Sequence, residues 1–252
     1  MVIDENIVFY SLLFIVITLQ TIVGVGILVL GTPLLLLLGY NIIEAISVLL
    51  PISIFISLFN LLYIKFTTKE ILPSIDRNTK KAFFSLCVPA VFFGIIFLKK
   101  FQDYINFHLL ISVIIFITIG AKFYYREKII TFSKIKKKTI LFFIGLIHGL
   151  TNSGGTLLSI FILNLNNNLK NPTRYSLSFF YFFLATLQYS IFIIFFSNKT
   201  EFPDLLPSLI PIAFFGIILG NFLTKQIQEK YFGYIIDALA LFSAFFLIIY
   251  NL

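Results

Sequence analysis

The chain has 252 residues, of which 59% are hydrophobic and 12% charged, with a formal net charge of +8. A soluble domain of this length cannot hide that much apolar surface, and continuous apolar runs exclude a β-barrel, whose strands alternate apolar and polar residues. The Lys and Arg residues cluster between the apolar runs, where they orient a membrane protein, so the positive charge does not indicate a nucleic-acid partner.

The expected fold is therefore an all-α, multi-pass membrane protein with eight hydrophobic segments. Residues 7–38 form the first. As one straight helix it would be about 48 Å long, against a hydrocarbon core of about 30 Å. It must tilt, break or turn back, and Gly24, Gly26, Gly31 and Pro33 supply the means. The acidic start, Met-Val-Ile-Asp-Glu-Asn, lacks the basic region of a secretory signal, so this run is expected to persist in the mature protein. Residues 42–64 follow, opened by Glu44 and carrying Ser47, Pro51, Ser53, Ser57 and Asn60. After a basic connection come runs 82–98 and 104–121, then the most polar segment, 122–138, with its Lys136-Lys137-Lys138 cluster.

The pattern then repeats. Run 139–163 is interrupted at His148-Gly149-Leu150-Thr151-Asn152-Ser153-Gly154-Gly155. Run 175–196, preceded by Arg174, carries Ser176, Ser178, Tyr181, Thr186, Gln188 and Ser190, and runs 205–223 and 231–250 complete the chain. Each half thus opens with a glycine-interrupted run and continues with a hydroxyl-rich one. Residues 1–121 and 139–252 read as two four-segment transmembrane repeats, with 122–138 as a cytoplasmic linker; internal repeats of this kind are typical of secondary transporters.

Lysine and arginine counting separates two topologies. If all eight runs cross, the two faces hold 13 and 6 basic residues; if runs one and five are re-entrant hairpins, they hold 16 and 3. The second arrangement has the sharper bias, makes the halves inverted repeats, and puts both termini outside. The length of the first run supports a hairpin there, whereas 139–163 is short enough to cross once.

Non-helical backbone at membrane depth is tolerated only where it is buried in protein or lines a polar cavity. The half-helix after each break begins with unpaired N–H groups at the positive end of a dipole, and glycine lets an anion approach closely. Gly24 and Gly26 at the first break, and Thr151, Asn152, Ser153, Gly154, Gly155 and Thr156 at the second, are the candidate binding residues for a small oxyanion. Close helix packing is the competing reading for Gly24 and Gly26. Asn and Ser in lipid need partners, which makes the second stretch the stronger candidate. No cofactor is required. Cys87 is the single cysteine and His108 and His148 are far apart, so no metal centre is expected.

At these residues the chain resembles the sulfite exporter TauE/SafE family, also called the toluene sulfonate uptake permease family. Gly24-Val25-Gly26-Ile27-Leu28-Val29-Leu30 with Pro33 is similar to its glycine-rich opening, and Ala45-Ile46-Ser47 to the small-residue start of the next helix. His148 to Gly155 is similar to the opening of its second half, and Arg174-Tyr175-Ser176-Leu177 to the basic start of the following helix. Val25 and Ile27 stand in a stretch richer in glycine in the family, and Asn152 where glycine is frequent. The resemblance implies a secondary carrier in the cell membrane that moves small, often sulfur-containing anions such as sulfite or organosulfonates, by export more often than uptake, with room for proton coupling. It implies no enzyme activity.

Other polar residues have two readings. Arg174 either balances an anionic substrate or snorkels to the interface. Glu44 is either a proton carrier or a solvated helix N-terminus. His148 is a candidate for proton coupling, Asp237 is either embedded or interfacial, and His108 is expected at the interface. Gln188 and Tyr189 either line a cavity or bond across helices. An intramembrane serine protease at Ser153 is disfavoured because His148 lies across a break and no histidine follows. A non-transporting subunit or scaffold remains the alternative, and a homo-oligomer is left open.

Overall fold

The computed structural model describes residues 5–24, 27–67, 75–125, 134–152, 154–166, 169–196 and 206–250. Gly26 and Ser153 lie outside the described residues. Within them every regular element is helical, as lipid demands of backbone whose polar groups must be satisfied internally. Helix α1 spans Glu5–Val23; after Gly24 a π-helical turn, Ile27–Gly31, leads into α2 (Thr32–Leu37). Then come α3 (Ile42–Thr67), α4 (Arg77–Ala82), a second π turn (Phe83–Cys87), α5 (Val88–Phe101) and α6 (Phe107–Tyr125). The second half holds α7 (Lys134–Thr151), α8 (Gly155–Leu165), α9 (Lys170–Phe196), α10 (Leu206–Gln226) and α11 (Glu229–Tyr250).

Four helical stretches are long and apolar enough to cross a membrane: Ile42–Thr67, Arg77–Phe101, Lys170–Phe196 and Ser208–Gln226. Shorter apolar helices include both halves of the first run and α8. The basic segment is helical at both ends, since α6 runs to Tyr125 and α7 begins at Lys134.

Local chemistry sets the starts of these helices. Asn41 Oδ1 accepts the Ile43 and Glu44 N–H groups at 3.0 Å each, and Glu44 Oε2 accepts the Asn41 N–H at 2.8 Å, which is a capping box. Asp76 caps α4 by accepting from the Asn78 and Thr79 N–H groups at 3.0 and 3.1 Å. The Asn78 N–H and then the Thr79 hydroxyl hold the Asp76 carboxyl below the usual aspartate range.

Helix pairs run side by side at close range. α1 and α10 point the same way: the Tyr10 and Ser208 hydroxyls are 3.1 Å apart, and a Cβ added to Gly220 would lie 2.5 Å from Thr21 Cβ. α5 and α7 also point the same way, with the Cys87 carbonyl against Gly145 and the Val91 carbonyl against Gly149. Small residues let these backbones touch. α3 packs along α9, and α6 along α11. α5 and α9 are parallel, since Phe83, in the π turn before α5, meets Phe180 at 4.6 Å and Phe92 meets Phe195 at 6.0 Å further along both. Tyr40, just past α2, lies 5.6 Å from Phe9 near the start of α1, so the chain returns to the level at which it set out.

Candidate functional site

Both breaks are built on a left-handed residue. Gly24 has φ +81° and Asn152 has φ +61°, which ends α1 and α7 respectively. Glycine adopts this conformation without strain, and asparagine is among the side chains that tolerate it. At the first break Gly24 also faces the Arg174 backbone, where an added Cβ would lie 3.2 Å from Cα.

The two breaks differ in how their polar groups are used. At the first, Gln20 Oε1 reaches across and accepts the Ile27 N–H at 2.8 Å. At the second, no side chain caps α8, whose first residues follow Gly154. The two helix ends are therefore unequal, because Gln20 already takes a backbone N–H at the first.

The breaks also touch. Asn152 Nδ2 donates to Thr32 Oγ1 at 3.3 Å, joining residues 120 positions apart. Gly155 lies between Val29 and Tyr181: an added Cβ would be 3.0 Å from Val29 Cγ2 and would land on the Tyr181 hydroxyl. His148 stands edge-on to the Tyr181 ring, 6.1 Å between centroids. All these side chains are buried, yet among the described residues the Asn152 Oδ1, both ring nitrogens of His148 and the Tyr181 hydroxyl have no hydrogen-bond partner. Buried polar groups are ordinarily paired, which sets this cluster apart from the rest of the described core.

α9 supports the breaks from one side. Gln188 Nε2 donates to the His148 carbonyl at 3.2 Å, and Arg174 Nη2 donates to the Thr21 carbonyl at 2.6 Å and to Asn221 Oδ1 at 3.1 Å. Arg174 is only 3% exposed, so it does not snorkel, and among the described residues no carboxylate pairs with it.

The remaining candidates separate. Thr151 is buried and donates to the Ile147 carbonyl at 2.8 Å, Thr156 is buried beside Gly155, and Gly154 backs onto Ile144 and His148. Glu44 is exposed and engaged in its capping box, in a hollow shared with Gln102 and Asp103, away from the breaks. Asp237 is buried in α11, and Tyr189 is partly buried. Gln20, Thr32 and Asn221 were not singled out by sequence; a lone amide four residues before a glycine in an apolar run was the available signal for Gln20.

Asn152 lends itself to a direct test. Asn152→Gly keeps the backbone and loses the Thr32 bond, so fold is expected to persist while flux falls. Asn152→Val forces a branched side chain into the left-handed region, at about 1–3 kcal/mol, and is expected to lower thermal stability as well. Equal melting temperatures for the two variants would remove the strained turn from the argument.

No curated protein and no solved structure matches the chain. The family model described as "Sulfite exporter TauE/SafE" matches residues 9–247, nearly the whole chain and both breaks, and the protein belongs to that family.

Proposed function

We propose that the protein is a secondary carrier of small sulfur-containing oxyanions or organosulfonates, working by alternating access around the paired breaks. The observation that carries this reading is the contact of the two breaks within a buried cluster of unpartnered polar groups. The α8 N-terminus, Asn152, Gly155 and the Tyr181 hydroxyl form the substrate side. His148 is the candidate for proton coupling, because it lies at the break whereas Glu44 does not. Gly24, Thr151, Gly154 and Thr156 shape the surrounding backbone, and Arg174 supplies positive charge. Export through the cell membrane is the favoured direction, since the family is named for sulfite export.

The topology that accompanies this carrier has both broken segments entering and leaving by one face, which makes residues 1–121 and 139–252 inverted repeats about the 122–138 linker. Three contacts support it. Tyr40 returns to Phe9. Asn166, just past α8, donates to the Pro172 carbonyl near the start of α9, while Gly155 lies against Tyr181 further along it. The parallel course of α5 and α9 fits a segment five that adds no net crossing. The helix pairs also exchange consistently: α1 with α10 answers α7 with α5, whereas α3 with α9 and α6 with α11 answer themselves.

The test is flux into liposomes with a panel of sulfite, sulfoacetate, sulfate and chloride, combined with single cysteines at Lys65 and Asn164. The expected result is uptake of a sulfur anion and labelling of both cysteines from the same face. Labelling from opposite faces rules out the second hairpin. An inert panel favours the scaffold alternative, in which the breaks are dry packing.

A further inference from the structure

Buried hydroxyls in this chain follow a rule, and one group breaks it. Thr18, Thr21, Thr118, Thr151 and Thr224 each donate to the carbonyl four residues earlier, and Ser47 and Ser159 to the carbonyl three earlier. Membrane helices normally silence hydroxyls in this way. Ser53 and Ser57 on α3, and Thr173, Ser178 and Tyr181 on α9, are buried and do not. The Asn60 Oδ1 and Arg174 Nε are unpartnered as well.

These exceptions share one place. Ser53, Ser57 and Asn60 recur at helical spacing, so they lie on one face of α3, and α3 packs along α9. The early part of α3 meets the first break, where Leu49 packs on Gly31, and Tyr63 is within electrostatic reach of Arg174. α9 runs the opposite way, with Tyr181 at the second break and Arg174 beside Gly24 of the first. Seven residues of helix separate those two levels, about 10 Å. Ser178 lies between them on α9, Thr173 adjoins Arg174, and α3 carries Ser53, Ser57 and Asn60 along the same helix pair. At the far end Arg174 is a buried cation with no carboxylate partner among the described residues and a spare N–H.

We propose that the α3–α9 seam is a hydrated route for a small oxyanion, with a waiting station at Arg174, Thr173 and Asn60 some 10 Å short of the second break. The donors of Arg174, Thr173, Ser57 and Ser178 serve the anion's oxygens, and the Asn60 carbonyl holds its water. The station lies toward the start of α9, the basic face of the protein, so it loads from the cytoplasm. This inference rests on the carrier reading above.

The test uses Ser57→Cys, Ser178→Cys and, as a silenced comparator, Thr118→Cys, each with Cys87→Ala, in inside-out vesicles treated with the anionic thiol reagent methanethiosulfonate ethylsulfonate. The cysteines at 57 and 178 are expected to react at least tenfold faster than that at 118, and sulfoacetate or sulfate is expected to slow them. Reactivity as low as at 118, in vesicles that still transport a sulfur anion, overturns the route and leaves the carrier reading intact. Fast labelling that neither anion slows overturns the station. Flux absent for every anion, with 57 and 178 still labelled and protected, instead overturns the carrier reading alone. Hydroxyl-radical footprinting of the unmodified chain provides a second measurement, in which Tyr181 is oxidised if water occupies the seam and is spared if the seam is dry.

Discussion

Gly155→Ala is expected to cut transport by about tenfold or more, and Tyr181→Phe to cut it comparably while raising the melting temperature. The alanine methyl falls on the Tyr181 hydroxyl and comes within 3.0 Å of Val29 Cγ2. The hydroxyl sits on a rigid ring, fully buried and edge-on to His148, so it can move only by shifting its neighbours. Such overpacking typically costs about 1–3 kcal/mol, and if that cost falls on the transport cycle the rate drops by roughly 5- to 150-fold. Tyr181→Phe separates packing from chemistry. The hydroxyl has no partner, so deleting it leaves no orphaned group and removes an unsatisfied one. A merely structural tyrosine should then give a more stable protein with normal flux. A gain in stability together with lost flux is what a site residue shows, because active sites hold groups that folding alone does not favour. Flux through Tyr181→Phe equal to that of the parent protein would take the hydroxyl out of the site.

Much of this architecture is legible in the sequence, and its limits follow from physics. Apolar continuity marks the helices because lipid leaves a spanning chain few alternatives. Glycine and proline mark the break after Gly24, and Thr-Asn-Ser-Gly-Gly marks the break at Asn152. The capping box at Asn41 and Glu44 is a local pattern, readable from the sequence. What stays hidden is long-range. Thr32 looks like the residue before a proline, and only its bond to Asn152, 120 positions away, brings it to the site. Gln20 looks like an isolated amide until its side chain is seen on the Ile27 N–H. The spacing of Ser53, Ser57 and Asn60 was readable, but their lack of partners was not, because a hydroxyl that back-bonds and one that does not are identical in sequence.

Asn221→Asp is expected to raise the KM of transport by more than about tenfold while stabilising the fold, and it decides what Arg174 is for. Asn221 Oδ1 already accepts from Arg174 Nη2 at 3.1 Å, so a carboxylate there changes charge with little change in shape, while losing the Nδ2 donation to the Ile217 carbonyl at 3.0 Å. It would give the guanidinium a charge-assisted partner, roughly twice as strong as the neutral hydrogen bond it replaces. If Arg174 serves only to hold the end of α1 through the Thr21 carbonyl, the variant should be more stable and fully active. If its uncompensated charge attracts the anion, the new carboxylate neutralises that charge in advance, and KM should rise by more than about tenfold, a loss exceeding about 1.4 kcal/mol of binding. Arg174→Met tests the same point from the other side. It leaves two neutral acceptors unpaired, a cost of about 1–3 kcal/mol each, while relieving the desolvation of a buried cation, so the protein should survive with a modestly lower melting temperature and no flux. Arg174→Lys keeps the charge but cannot reach the Thr21 carbonyl and Asn221 while leaving a donor free, so it should transport with a raised KM and a near-normal maximal rate. Normal KM in both Asn221→Asp and Arg174→Met would assign Arg174 to holding α1, α9 and α10 together and would leave the substrate to the uncapped α8 N-terminus alone.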